Sequence, residues 1–161
     1  MSNDSSTKCT VNFDTGFLST DEVEGIFEAL PIDVSFVSAE NEVHYFNREK
    51  ERVFKRSRSV IGKKVQNCHP EKSLSAVNRI LEDFRAGKRE KAEFWINLHG
   101  QMVHIRYFPV RDRAGKYLGC LEVSQDITEI QKITGEKRLL DESKAAEYAE
   151  TYSGIEDADN G

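Results

Sequence analysis

Apolar residues along the chain change their spacing several times, and each change marks an element. Ser19 and Glu22 stand at capping-box spacing, and Val23, Ile26, Phe27 and Leu30 follow at i, i+3, i+4 and i+7 before Pro31. This predicts a short amphipathic helix with both ends specified by its own residues. Ile32, Val34 and Phe36 then alternate with Asp33 and Ser35, and Ala39-Glu40-Asn41-Glu42 separates them from Val43–Phe46, which predicts a hairpin. Asn47 is placed to cap a short helix over Arg48–Phe54, and residues 55–68, rich in cations with Ser57, Ser59 and Gly62, predict short helical turns and loop.

Pro70 opens a longer helix in which Leu74, Val77, Ile80, Leu81 and Phe84 make one stripe, with Gly87 as its stop. Glu90–Leu98 and Gln101–Arg111 predict two strands joined by the tight turn His99-Gly100. A two-residue turn sets the pairing: Ile96 opposite Val103, Phe94 opposite Ile105, Trp95 opposite His104, Glu93 opposite Arg106. One face of this ladder is apolar and the other polar. A third strand, Tyr117–Gln125, follows the turn Ala114-Gly115-Lys116 and closes at Asp126-Ile127-Thr128, where Thr128 is placed to cap a terminal helix carrying Ile130, Ile133, Leu139 and Leu140.

Outside these segments periodicity is missing. Residues 1–18 are rich in Ser, Thr, Asn and Asp and predict a flexible lead-in; residues 142–161 predict an acidic flexible tail. The ordered part is thus one domain over residues 19–141, within the size that 161 residues allow.

The order of strands and helices, β-β, short helices, longer helix, β-β-β, and the glycine-strand-DIT ending resemble the PAS sensor domains. Leu30-Pro31-Ile32-Asp33-Val34-Ser35-Phe36-Val37, Val65-Gln66-Asn67-Cys68-His69-Pro70, Ala92–Leu98 and Ile105-Arg106-Tyr107-Phe108 resemble, within that family, the PAS module at the C-terminal end of bacterial and archaeal proteins that carry a hemerythrin-like domain. The chain has none of the metal-ligand positions of such a partner domain. The resemblance implies an α+β fold: a five-stranded antiparallel sheet whose helices enclose a ligand-sized cavity, flanked by an N-terminal amphipathic helix and a C-terminal signalling helix. It implies a sensory domain that binds a small ligand or cofactor. With no output domain after the terminal helix, the signal is expected to pass to a protein partner in trans. The rival expectation is a cofactor-free module for protein–protein interaction and dimerisation.

Cys68-His69-Pro70 is the chemically suggestive constellation. A neutral imidazole or a thiolate at a helix start is a good ligand for haem iron or another metal, so Cys68 and His69 are candidate ligands if haem or metal is bound. The same two residues also suit a cap and a small buried hydrophobe, or a redox-sensing thiol. Trp95, His104 and Tyr107 are the other candidate cofactor contacts, supplying a stacking surface and polar anchors if their faces line the cavity. Asn67-Cys68 resembles the Asn-Cys pair of flavin photosensors, but the chain continues His69-Pro70-Glu71-Lys72 where they have Arg-Phe-Leu-Gln, which argues against a flavin photoadduct. Haem-binding oxygen sensors of the family take an axial His from inside the long helix, near Val77 here. No His lies between residues 70 and 98, so a haem would need His69, His104 or a cysteine.

Arg48, Lys50, Arg52, Lys55, Arg56, Arg58, Lys63 and Lys64 form a cation-rich stretch opposed by Glu49 and Glu51. It reads as a solvated face, with haem carboxylates or nucleic acid as the alternatives; no helix-turn-helix or aromatic interleaving accompanies it. Net charge −5 and three scattered cysteines, Cys9, Cys68 and Cys120, fit a cytoplasmic protein without a disulfide framework. No apolar run suits a membrane span or secretory signal. No nucleophile elbow, phosphate-binding loop or zinc motif is present, so no enzyme is expected. The apolar stripe of the first helix needs a cover, on its own domain or on a second copy, and a homodimer is the expectation.

Overall fold

In the computed structural model, residues 9–48 and 52–139 are described. The chain forms β1 (Thr10–Phe13), β2 (Gly16–Ser19), α1 (Thr20–Ala29), β3 (Asp33–Ser38), β4 (Val43–Phe46), α2 (Glu71–Arg85), β5 (Ala92–Leu98), β6 (Gln101–Arg111) and β7 (Tyr117–Asp126), with 3-10 turns at Arg58–Val60, Val65–Cys68 and Ile130–Lys132. β1 and β2 make a hairpin of their own, where a flexible lead-in was expected over residues 1–18; Val11 and Phe13 alternate there with Asn12 and Asp14. The main sheet has the order β4-β3-β7-β6-β5, and every neighbouring pair is antiparallel.

Local signals account for most of these elements. Ser19 Oγ accepts the Glu22 amide at 3.2 Å while a Glu22 carboxylate oxygen accepts the Ser19 amide at 2.7 Å, the reciprocal bonds that satisfy the free donors at the start of α1. His99 and Gly100 take φ of 52° and 87°, the two left-handed residues that a two-residue hairpin needs to match strand twist. The β5–β6 pairing is the one the turn predicts, Trp95 opposite His104 and Glu93 opposite Arg106. α2 begins at Glu71 with Pro70 in the cap position, and its stripe turns Leu81 and Phe84 into the core with Val37, Val43, Val65 and Cys120.

Two further expectations change. The helix placed over Arg48–Phe54 falls partly on residues 49–51, outside the described residues, and residues 52–54 are not helical. Asn47 is instead fully buried and binds four groups. Its Oδ1 accepts the Val34 amide at 2.6 Å and an Arg52 guanidinium N–H at 3.2 Å; its Nδ2 donates to the Phe27 carbonyl at 2.7 Å and the Ile32 carbonyl at 3.1 Å. One side chain therefore joins the end of α1, the start of β3 and the segment after β4. At the other end, the Thr128 hydroxyl donates to Asp126 at 2.6 Å and accepts the Met102 amide at 2.9 Å, which holds the close of β7 against the start of β6. The helix expected from Thr128 to Leu140 is represented in residues 129–139 by the 3-10 turn, and α-helical backbone begins only at Leu139, where the described residues end. Among the described residues no helix is long and apolar enough to cross a membrane.

Candidate functional site

β7 determines what the sheet presents to its helices. Register places Tyr107 opposite Glu122 and Ile105 opposite Ser124 on the β6–β7 side, and Glu122 opposite Ser35 on the β3 side. Opposed residues share a face. The apolar face of β5 and β6, with Phe94, Ile96, Ile105 and Tyr107, therefore continues into Cys120, Glu122 and Ser124, the polar positions of β7. Between this face, α2 and the segment 53–57 lies a cleft of about 950 Å³. That is the upper end of the range for small-ligand sites, about 300–1,000 Å³.

The wall formed by residues 53–57 is held by a buried polar network. Arg52, 5% exposed, donates to the Val34 carbonyl at 3.0 Å, the Asn47 carbonyl at 2.8 Å and Ser35 Oγ at 2.9 Å, and its guanidinium lies 5.4 Å from the centre of the Phe46 ring. Next to it the Val53 amide donates to Asp33 Oδ2 at 2.6 Å. Those bonds carry the following residues over the cleft and bring Arg56 to the sheet. Arg56 Nη2 meets Glu122 at 3.1 Å and 3.3 Å, with the two side chains only 10% and 7% exposed. The reading of 48–64 as a solvated cationic face is corrected here: Arg52 and Arg56 point inward, because buried carbonyls and a buried carboxylate need their charge.

Of the predicted site residues, the cleft brings together Cys68, His69 and Tyr107, with Asn67 and Pro70 beside them. The 3-10 turn that delivers Cys68 is tied to α2 by a Gln66 Nε2 to Asn78 Oδ1 bond at 3.0 Å. Burial holds the His69 imidazole below its ordinary pKa, with Glu122 pulling upward and Arg56 downward. The largest cause is desolvation, which disfavours the imidazolium. Burial likewise raises the Tyr107 phenol, with Glu122 adding to the effect, so it remains a neutral hydrogen-bond donor. Cys120, at the buried end of the same face, is pushed up to about 12 by burial and by Glu122 and is held as a thiol.

Trp95 and His104 are not part of the cleft. Strand alternation puts them on the opposite face of the sheet, where Trp95 is 65% exposed and His104 Nε2 lies 2.8 Å from a Glu93 carboxylate that also binds Lys91 at 2.6 Å. Sequence reading left Arg56 in a solvated cationic run and gave Glu122 no role, so it missed that the two meet in the cleft. A faint signal existed: one carboxylate inside the otherwise apolar and β-branched run of β7, and more cations in 48–64 than local acids to match them.

A family model described as PAS domain matches residues 23–128. Among solved structures, a C-terminal domain from Streptococcus mutans is 34% identical over 79% of this chain and 98% of its own, with a TM-score of 0.73. The PAS domain of BvgS from Bordetella pertussis (18% identity, 80% of this chain and 96% of that one, TM-score 0.52) shares the fold. So does a PAS domain from Colwellia psychrerythraea (13% identity, 68% and 97%, TM-score 0.51). Among functionally curated proteins, none matches the chain.

Proposed function

The chain belongs to the PAS domain family, and on that footing we propose that it is a cytoplasmic sensory domain that binds a small ligand or cofactor in the cleft and passes the signal to a protein partner. The observation that carries this reading is the cleft itself: about 950 Å³, with apolar surface from β5, β6 and α2 and with Arg56, Glu122, His69 and Tyr107 among its polar groups. A few placed polar groups in a mostly apolar cavity are what a selective small-molecule site needs. Ligand binding shifts a conformational equilibrium only through unequal affinity for two states, and segment 53–57 with α2 is the wall that contact would bias. In the same proposal the functional domain is residues 19–141, of the kind fused elsewhere to hemerythrin-like domains, and acts by binding and not by catalysis.

Haem is the first cofactor to test. The described residues contain no cluster of three or more metal-ligating side chains, which does not suit a metal held by protein alone. A haem needs only one or two axial donors, and Cys68 and His69 both line the cleft, with Lys55 at its wall for a carboxylate. When bound, haem would supply an iron that takes up small diatomic ligands. His69, kept neutral by burial, would orient and hold it. Absorption and mass spectra of the purified protein, followed by haem titration, test this: a sharp Soret band that His69→Ala or Cys68→Ala moves or abolishes, with circular dichroism unchanged, supports it. If both variants bind as the parent does, these side chains are structural; if the parent takes no haem, haem is not the cofactor.

A second reading, an interaction module that dimerises through the N-terminal helix and the outer sheet face, is favoured by the exposure of Phe17, Ile26 and Trp95. Sedimentation across micromolar concentrations tests it; a strict monomer throughout sinks the dimer.

A further inference from the structure

We infer that the cleft selects an uncharged, largely apolar ligand bearing a carbonyl-type acceptor, and that the Arg56–Glu122 pair makes the selection. This rests on reading the cleft as a ligand site and names the class of molecule it takes.

The pair is an unusual thing to find in a cavity wall. Arg56 spends only Nη2 on Glu122, at 3.1 Å and 3.3 Å. Its Nε is buried and has no acceptor among the described residues. A guanidinium offers five donors in a rigid plane, and a buried donor left unmade is destabilising. Nε is sealed from the cleft, and the remaining donor, Nη1, makes no hydrogen bond to the described residues, so the cleft wall offers that donor beside a carboxylate that already neutralises the charge. A ligand carbonyl satisfies the donor and adds no charge. A ligand carboxylate brings a second anion close to Glu122, where the like charges repel and the cost of desolvating both is not recovered. A ligand cation meets the same difficulty with Arg56. The walls complete the class, since Phe94, Ile96 and Ile105 offer apolar surface.

Titration calorimetry with naphthamide, naphthoate and methylnaphthalene, one bicyclic body bearing an amide, an anion or no polar group, tests the assignment on the full chain. Naphthamide is expected to bind about tenfold or more tighter than naphthoate, whose carboxylate meets Glu122, and tighter than methylnaphthalene, which leaves the Arg56 donor unmade. In Glu122→Gln the uncompensated guanidinium is expected to turn that preference over to naphthoate. Should Glu122→Gln fail to fold, the double variant Arg56→Met, Glu122→Met removes both charges of the pair and is expected to bind methylnaphthalene as well as naphthamide; an amide preference that survives there overturns the inference. Parent protein that takes naphthoate as tightly as naphthamide also overturns it while leaving the cleft a ligand site. No binding of any of the three at millimolar concentration overturns both.

Discussion

Asn47 and Val34 are thirteen residues apart in sequence and 2.6 Å apart in space, where the Asn47 side-chain oxygen accepts the Val34 amide in a fully buried position. The other half of the same amide group donates to Phe27 and Ile32 carbonyls, so this residue replaces several backbone partners that no strand or helix supplies. Asn47→Ala leaves one donor and two acceptors buried without partners. At about 1–3 kcal/mol for each such group, a loss of at least about 3 kcal/mol is expected, read from the urea midpoint. Asn47→Ala behaving like a surface substitution would disprove the assignment.

Gly119 in β7 tolerates no side chain. A β-carbon there would sit 2.1 Å from the Val37 carbonyl oxygen and 2.7 Å from the Phe36 ring, at a φ of 154°. Backbone on the neighbouring strand cannot step aside without breaking the ladder, so Gly119→Ala is expected to cost about 3 kcal/mol or more. Gly25 is the contrast: it lies in α1 with open space around it, and Gly25→Ala is expected to stabilise by about 0.5–1 kcal/mol. Paired denaturation curves check both signs.

The Arg56–Glu122 and Lys64–Glu42 pairs have similar lengths, 3.1 Å and 3.2 Å, but the first is about nine-tenths buried and the second roughly half exposed. Burial decides the outcome. Arg56→Met strands the Glu122 carboxylate and is expected to cost about 3–5 kcal/mol. Lys64→Met is expected to cost under about 1 kcal/mol, because water and salt screen its pair. Equal losses from the two substitutions would show that the buried carboxylate finds relief elsewhere.

His69 predicts a pH dependence. Its folded pKa lies below the unfolded value of 6.5 because burial disfavours the cation. Above 6.5 both states are neutral there and stability is complete; as pH falls below 6.5 the unfolded chain takes up the proton first, and stability drops until the lower folded pKa is passed. The shifted carboxylates Glu40 and Glu93, lowered from 4.5, and Asp126, lowered from 3.8, are all held down by hydrogen bonds and titrate below this window. Urea midpoints between pH 5 and pH 8 should decline toward acid in the parent and lose much of that slope in His69→Gln. An unchanged slope in the variant would mean that another group carries it.

Sequence alone determined what depends on near neighbours. Ser19 with Glu22, and His99 with Gly100, each satisfy backbone geometry within three or four residues, so spacing predicted α1 and the β5–β6 register to the residue. The stripe of α2 was legible for the same reason, since 3.6-residue periodicity is a property of one segment.

Tertiary structure decided which face and which partner. Alternation in β7 divides Cys120, Glu122 and Ser124 from Leu121 and Val123, but gives no means of telling which set joins Phe94 and Ile105, because a one-residue slip exchanges the faces. The pairing across β6 and β7, with a register shift between Val110 and Arg111, put the polar set inside. That one choice made Glu122 a cleft residue, which drew Arg56 out of an apparently solvated run, while the parity of β5 and β6 sent Trp95 and His104 to the outer face. Charge in the sequence says that Arg56 needs compensation; only the fold brings a carboxylate sixty-six residues away within 3.1 Å to supply it.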